Sequence, residues 1–292
     1  MRAEFHQFFS KIRPALRVHQ YALVLTLSLA LGGCALSPKK IESRNASDAL
    51  LAQQFVAVEA GLKNQAPGER TLVFVGSAQH SQSLAFQRDV LLVEQRLKAI
   101  NPRLQSIILS NQLSSTLTYP FATVETLNHT FKRLAAWSEK YPLTLLVLIS
   151  THGNVDVLSS NIANEYFPPV RPSNLRNWLD TLGDTPSTVI LSACYSGSFL
   201  PLITDKPRIV LTSAAANRNS FGCNYSSDNT YFISALFGDS FDAGKTWKAN
   251  FDTARSAIEK REQAMRLAPS SNPQHYIPVN VEDKSISELL KP

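Results

Sequence analysis

The chain alternates two kinds of hydrophobic pattern. Short continuous apolar runs occur at Thr71-Leu-Val-Phe-Val75, Ser106-Ile-Ile-Leu109, Leu143-Thr-Leu-Leu-Val-Leu-Ile149, Thr188-Val-Ile-Leu191 and Arg208-Ile-Val-Leu211. Between them lie segments whose apolar residues recur at helical spacing. Leu84, Val90, Leu91, Val93, Leu97 and Ile100 predict a helix over 84 to 100, a second follows Pro120 near 121 to 139, and Leu175, Trp178 and Leu182 belong to a third that Ser173 can cap. Runs of four to seven apolar residues, wet on neither side, are strands buried on both faces. Their alternation with amphipathic helices predicts a mainly parallel sheet covered by helices, an α/β architecture. Tyr231, Phe232 and Phe237, at helical spacing, read as core.

The first 68 residues break this rhythm. Arg2, Lys11, Arg13 and Arg17 precede the apolar run from Tyr21 to Leu31, which ends at Gly32-Gly33-Cys34. The run has the length of a signal-peptide core and is shorter than the roughly 20 residues that span a bilayer. Leu31-Gly-Gly-Cys34 resembles the bacterial lipobox, in which the cysteine becomes the lipidated first residue of the mature chain. The expected organisation is a lipoprotein signal peptide over 1–33, then a lipidated N-terminus, tether and helix over 34–68. A catalytic-type domain follows over 69–282, with a tail over 283–292. Ala35 stands where an aspartate would favour inner-membrane retention. An outer-membrane lipoprotein facing the periplasm is therefore expected, with the membrane as a partner through Cys34.

Composition narrows the function classes. The chain is 44% hydrophobic and 18% charged, as in ordinary globular proteins. Without Arg2, Lys11, Arg13, Arg17 and Glu4 of the leader, the 29 basic and 23 acidic residues fall to 25 and 22, a net +3. With no basic run and no interleaved aromatics, nothing points to nucleic acid. His80, His129 and His275 are scattered and no CxxC or HExxH spacing occurs, so no metal site is expected. Cys34 is assigned to lipid, which leaves Cys194 and Cys223. A bridge between these two is the structural alternative to a reactive thiol.

In open parallel sheets, functional groups gather at the carboxyl ends of strands. The third apolar run leads directly into Ser150-Thr-His-Gly153, and the fourth into Ser192-Ala-Cys194-Tyr-Ser-Gly-Ser198. If the two strands are parallel neighbours, a histidine and a cysteine emerge on one edge. A thiol nucleophile needs this: an imidazole to take the proton, and small residues whose N–H groups can face an oxyanion. Asp156 follows His152 closely and reads as a turn carboxylate, and Cys223 as a packed thiol.

These motifs resemble those of the legumain-like cysteine peptidases, the C13 family of the caspase-like clan. Ser150-Thr-His-Gly153 is similar to the family's histidine motif and Ser192-Ala-Cys-Tyr-Ser-Gly-Ser198 to its cysteine motif. Leu211-Thr-Ser-Ala-Ala-Ala-Asn217, with Ser220 to Tyr225 and Asp228 to Phe237, is similar to one side of its substrate pocket. The resemblance implies a caspase-haemoglobinase-like three-layer α/β/α sandwich with a mostly parallel sheet. It implies Cys194 as nucleophile, His152 as general base, Gly153 and Cys194 N–H groups as oxyanion donors, and Ser213 and Asp228 as substrate-binding residues. The reaction implied is peptide-bond hydrolysis on a peptide or protein substrate through a thioester, with no metal or organic cofactor and with transfer to an amine as a variant of the same chemistry. Two departures stand out. The family's Gly-Ser-Asn supports the histidine, whereas here Gly76-Ser77 is followed by Ala78; and the arginine of the family's pocket has no secure counterpart before Phe86-Gln-Arg-Asp89. They motivate the alternative of a non-catalytic envelope lipoprotein using the same fold as a binding scaffold. Oligomeric state and the residue preferred at the cleavage site are not encoded in these patterns.

Overall fold

The computed structural model describes residues 38–113, 117–204, 206, 208–224 and 227–291. Cys34 and the leader lie outside the described residues. The chain divides into two compact units, 1–45 and 46–292, and the fold below is that of the second.

A helix over Pro38–Lys63 (α1) leads to β1 (Thr71–Ala78), α2 (Leu84–Ile100), β2 (Gln105–Ser110), α3 (Val124–Ser138) and β3 (Leu143–Ser150). A hairpin excursion follows, β4 (Gly153–Asn154), β5 (Val157–Ile162) and β6 (Glu165–Val170), and then α4 (Pro172–Asp180) and β7 (Ser187–Ser192). After the short α5 (Leu200–Ile203) come β8 (Ile209–Thr212), α6 (Tyr231–Phe237), α7 (Trp247–Ala264), β9 (Gln274–Tyr276) and α8 (Ile286–Leu290). The main sheet has the order β2-β1-β3-β7-β8-β9, parallel throughout except for β9. The smaller sheet, β4-β5-β6, is antiparallel.

All eight residues of β1 and of β3 are buried, as double-sided coverage requires. Side chains alternate between two cores. Val73, Val75, Leu145, Val147, Val189 and Leu191 pack with Leu51, Phe131 and Trp178 of α1, α3 and α4; Phe74, Leu146, Leu148 and Ile190 pack with Val90, Phe237 and Phe251 of α2, α6 and α7. The expected three-layer sandwich with a mostly parallel sheet is thus what forms. Gly76 permits it locally: a Cβ there would strike Val90 of α2.

Three expectations shift, and one feature is new. The compact unit begins at Ala46 rather than 69, because Leu51, Val58 and Leu62 of α1 are buried in the core. The Gln54 side chain also donates to Ile108 O at 3.0 Å and accepts from Ile108 N–H at 2.8 Å, so α1 covers the exposed edge of β2. The C-terminal 283–292 is no tail, since Ile286 and Leu290 of α8 are buried. Helix α4 starts from Arg171, not Ser173, because Pro172 with its preset φ takes the first helical position. The hairpin sheet over 153–170, polar and proline-containing, carries no clear alternation and was not legible as strands.

Candidate active site

The register of the central strands sets the site. Ala78 pairs with Ser150 and Ser150 with Ser192, so the ends of β1, β3 and β7 are level. His80, His152 and Cys194 each lie two residues beyond that level on adjoining strands, whose backbones are about 5 Å apart.

On the cysteine side the chain makes a tight, strained turn. Tyr195 has φ 57°, the left-handed region that a non-glycine residue rarely enters, and its N–H is held by Arg218 O at 2.7 Å. Ser213 accepts from Ala193 N–H at 2.8 Å and donates to Ala193 O at 2.8 Å. Ser196, Gly197 and Ser198 N–H groups go to Ala193, Ala214 and Tyr195 carbonyls. From 193 to 198, Cys194 alone has an N–H with no acceptor among the described residues. The Cys194 Sγ is partly exposed; it accepts from Ser220 N–H at 3.3 Å and donates to Ser220 O at 3.5 Å.

On the histidine side, Thr151 N–H donates to Ser192 O at 3.0 Å and continues the contact between β3 and β7. Gly153 is packed so closely against the Cys194 carbonyl that a Cβ would overlap it. At this level of the β4–β5 ladder the bond runs from Ser159 N–H to His152 O, so the Gly153–Leu158 pair is the non-hydrogen-bonded kind and Gly153 N–H points away from β5. The His152 ring lies 4.6 Å from the His80 ring and 5.0 Å from that of Phe86, nearly perpendicular to both. Neither ring nitrogen of His152 has a hydrogen-bond partner among the described residues. Burial holds its pKa below the ordinary histidine range, which keeps it neutral and able to accept a proton. His80 is pushed down to about 4 by burial and then by the neighbouring His152.

Asp89 ties the two sides together from beneath. Fully buried, it accepts from Ser150 Oγ (2.7 Å), Thr230 Oγ1 (2.8 Å), Thr230 N–H (3.0 Å) and Asn229 Nδ2 (3.0 Å). Because the Thr230 hydroxyl gives its proton to Asp89, Ser192 Oγ, 3.0 Å away, donates to Thr230. One carboxylate therefore links the last residue of β3 to the last residue of β7. Burial raises its pKa to about 6 against the pull of those donors.

The other sequence candidates fall at various distances from this centre. Ser213 is 1% exposed with its hydroxyl engaged by Ala193, so it fixes the cysteine turn from below. Asp228 is exposed and pairs with Arg88 at 2.7 Å. Asp156 is an exposed turn residue with φ 57°. Ala78 offers only a buried methyl. Cys194 and Cys223 are both free thiols, and burial, reinforced by Cys194, pushes Cys223 up to about 11. His275 packs on Phe251 in another part of the fold. Sequence reasoning passed over His80, which it grouped with scattered histidines. The signal that would have found it is the shared offset, two residues past the ends of three level strands.

A partly exposed thiol on a strained turn, a neutral imidazole on the adjoining strand and a free backbone N–H define a thiol-dependent acyl-transfer enzyme on an α/β sheet. The family model of the peptidase C13 family matches residues 142–289, half of the chain and all of the segment bearing His152 and Cys194. The chain belongs to the peptidase C13 family and is a cysteine-type peptidase. Among solved structures, caspase-1 from Spodoptera frugiperda is similar at 14% identity, over 71% of this chain and 85% of that one, with a TM-score of 0.46. No curated protein matches.

Proposed function

We propose that the protein is a lipid-anchored endopeptidase in which Cys194 is the nucleophile and His152 the general base. One observation carries the assignment: the two residues lie equally far past the paired Ser150 and Ser192, and Cys194 N–H is left without an acceptor where its neighbours are all bonded. His152 takes the Sγ proton as sulfur adds to the scissile carbonyl carbon. The oxygen of the tetrahedral intermediate is met by the N–H groups of Gly153 and Cys194. Collapse expels the amine, protonated by His152, and leaves a thioester on Cys194. Water, deprotonated by His152, attacks the thioester and releases the acid with the thiol restored. An amine in place of water gives transpeptidation by the same steps. The exposed Arg88–Asp228 pair, beside Asn229 and Asp89, is the charged feature a substrate side chain would meet.

Anchoring rests on the Leu31-Gly-Gly-Cys34 motif. With Ala35 after the cysteine, it supports an outer-membrane location facing the periplasm, with peptides or proteins of the envelope as the proposed substrates. No helix among the described residues is long and apolar enough to cross a membrane. The test of the chemistry is a fluorogenic peptide library, varied at the residue before the cleaved bond, offered to residues 35–292 with Cys194→Ala and His152→Ala as controls. Cleavage lost in both controls is expected; cleavage retained in either sinks the mechanism, and silence of the folded wild type would favour a binding scaffold. Metabolic labelling with a fatty acid, lost in Cys34→Ala, tests the anchor.

A further inference from the structure

Under the proposed mechanism His152 must hold one orientation through every proton transfer of acylation and deacylation, yet nothing polar holds its ring. The residues nearest to hand are apolar, misplaced or occupied. Ala78 ends in a methyl, Asp156 sits on an exposed turn, and both oxygens of Asp89 are taken by Ser150, Thr230 and Asn229. What does contact the ring is aromatic. His80 and Phe86 stand at 4.6 and 5.0 Å with interplanar angles of 86° and 83°, and their own centroids are 6.2 Å apart, so His152 fits edge-to-face against two rings at once.

Phe86 is a buried residue of α2, whereas His80 is anchored at the strand ends. It is 2% exposed, its backbone bridges to Asn161, and the flanking Gln79 carbonyl accepts from Asn161 N–H at 2.8 Å. Its Nδ1 accepts from Gln82 N–H at 3.4 Å, which fixes the ring and assigns the proton of the neutral imidazole to Nε2. Tyr166, on β6, lies 6.1 Å from it. A ring thus held on both sides is a rigid wall for its neighbour.

We propose that His80 is a positioning residue for His152, orienting the base by ring packing in the place where a hydrogen-bonding side chain would otherwise stand. The inference rests on the assignment of His152 as base. It attributes the effect to the ring and not to its nitrogens, and so separates three substitutions. His80→Phe keeps a ring of similar size, His80→Gln keeps a polar side chain without the ring, and His80→Ala removes both.

The experiment measures kcat and KM for a cleaved peptide and, separately, the rate of Cys194 alkylation by iodoacetamide at pH 7, with His152→Ala as reference and thermal melting as the check on folding. His80→Ala and His80→Gln are expected to lose roughly ten- to a hundredfold in kcat with KM within about twofold, since the misplaced base acts in the transition state and not in binding. Their alkylation rates should fall toward that of His152→Ala. His80→Phe should stay within about threefold of wild type in both assays, a difference too small to reflect a displaced base. Wild-type kcat and alkylation in His80→Ala, or a folded His80→Phe as impaired as His80→Ala, would overturn the proposal. If wild type cleaves no peptide, the proposed function fails while the alkylation arm still decides the role of His80.

Discussion

The two arms of the site are built in different ways. The cysteine arm is a lattice of backbone hydrogen bonds: Ala193, Tyr195, Ser196, Gly197 and Ser198 each have an N–H partner, and Ser213 braces the turn from below. The histidine arm also has backbone bonds, from Thr151 N–H to Ser192 O and from Ser159 N–H to His152 O, but its reacting ring is held by shape, through the rings of His80 and Phe86 and the close approach of Gly153 to Cys194 O. A nucleophile on a strained turn needs directional bonds, because Tyr195 would otherwise relax out of its left-handed conformation. A base that must stay neutral is better served by apolar and aromatic contact, because an anionic partner would raise its pKa. Asp89 reaches both arms, and it does so through the strands, not through the reacting side chains.

The contrast can be broken most severely at Gly153. In Gly153→Ala the new Cβ collides with Cys194 O and must drive the histidine loop away from the cysteine. A loss of about a hundredfold in kcat is expected, with a smaller change in melting temperature; activity near wild type would mean that the loops part without disturbing the reacting groups. Next is Ser213→Ala, which strips the buried Ala193 N–H of its acceptor and leaves the Ala193 carbonyl only the long bond from Ser196 N–H at 3.4 Å. Chemical denaturation should show a loss of about 1–3 kcal/mol, with kcat falling less than in Gly153→Ala. A change within about 0.5 kcal/mol, the usual range for a surface substitution, would show that the turn does not depend on this brace.

The smallest effect belongs to the histidine arm and emerges only in acid. His80 is held at about 4 in the fold, below its unfolded value near 6.5, and His152 is lowered too, so the unfolded chain binds more protons between these limits. The stability due to neutral His80 is complete above the unfolded pKa and is lost as pH falls through that window, by on the order of 1–2 kcal/mol near pH 5. Asp89, raised to about 6 from an ordinary value near 3.8, acts with the opposite sign and gains as pH falls. Melting curves of wild type and His80→Phe isolate the histidine: from pH 7 to 5 the variant should gain on wild type. Parallel curves would show that His80 charges as easily in the fold as out of it.

Much of the site could be read before the fold was known. Continuous apolar runs ending in Ser-Thr-His-Gly and Ser-Ala-Cys announce two parallel strands with reactive ends, because burial on both faces leaves only the carboxyl edge for chemistry. His80 stayed hidden because Thr71 to Val75 marks where β1 begins but not how far it runs. The strand continues through Gly76 and Ser77 to Ala78, and only that extension puts His80 level with His152. Ser213 read as a pocket wall because the resemblance to the family's pocket segment implies that role; whether its hydroxyl faces the cleft or the backbone depends on strand phase, and here it meets Ala193.

The sequence by itself determined the layered α/β class, the succession of the five parallel core strands, and the pairing of a histidine motif with a cysteine motif, since each depends on local periodicity and on which residues directly follow an apolar run. Tertiary structure alone decided the level ends of β1, β3 and β7, the Asp89 link from Ser150 to Ser192, the free N–H of Cys194 and the two rings against His152. These are relations between segments up to 141 positions apart, as from Asp89 to Thr230. Hydrogen-bond direction and ring packing depend on register and orientation to within an ångström or so, which no one-dimensional pattern specifies.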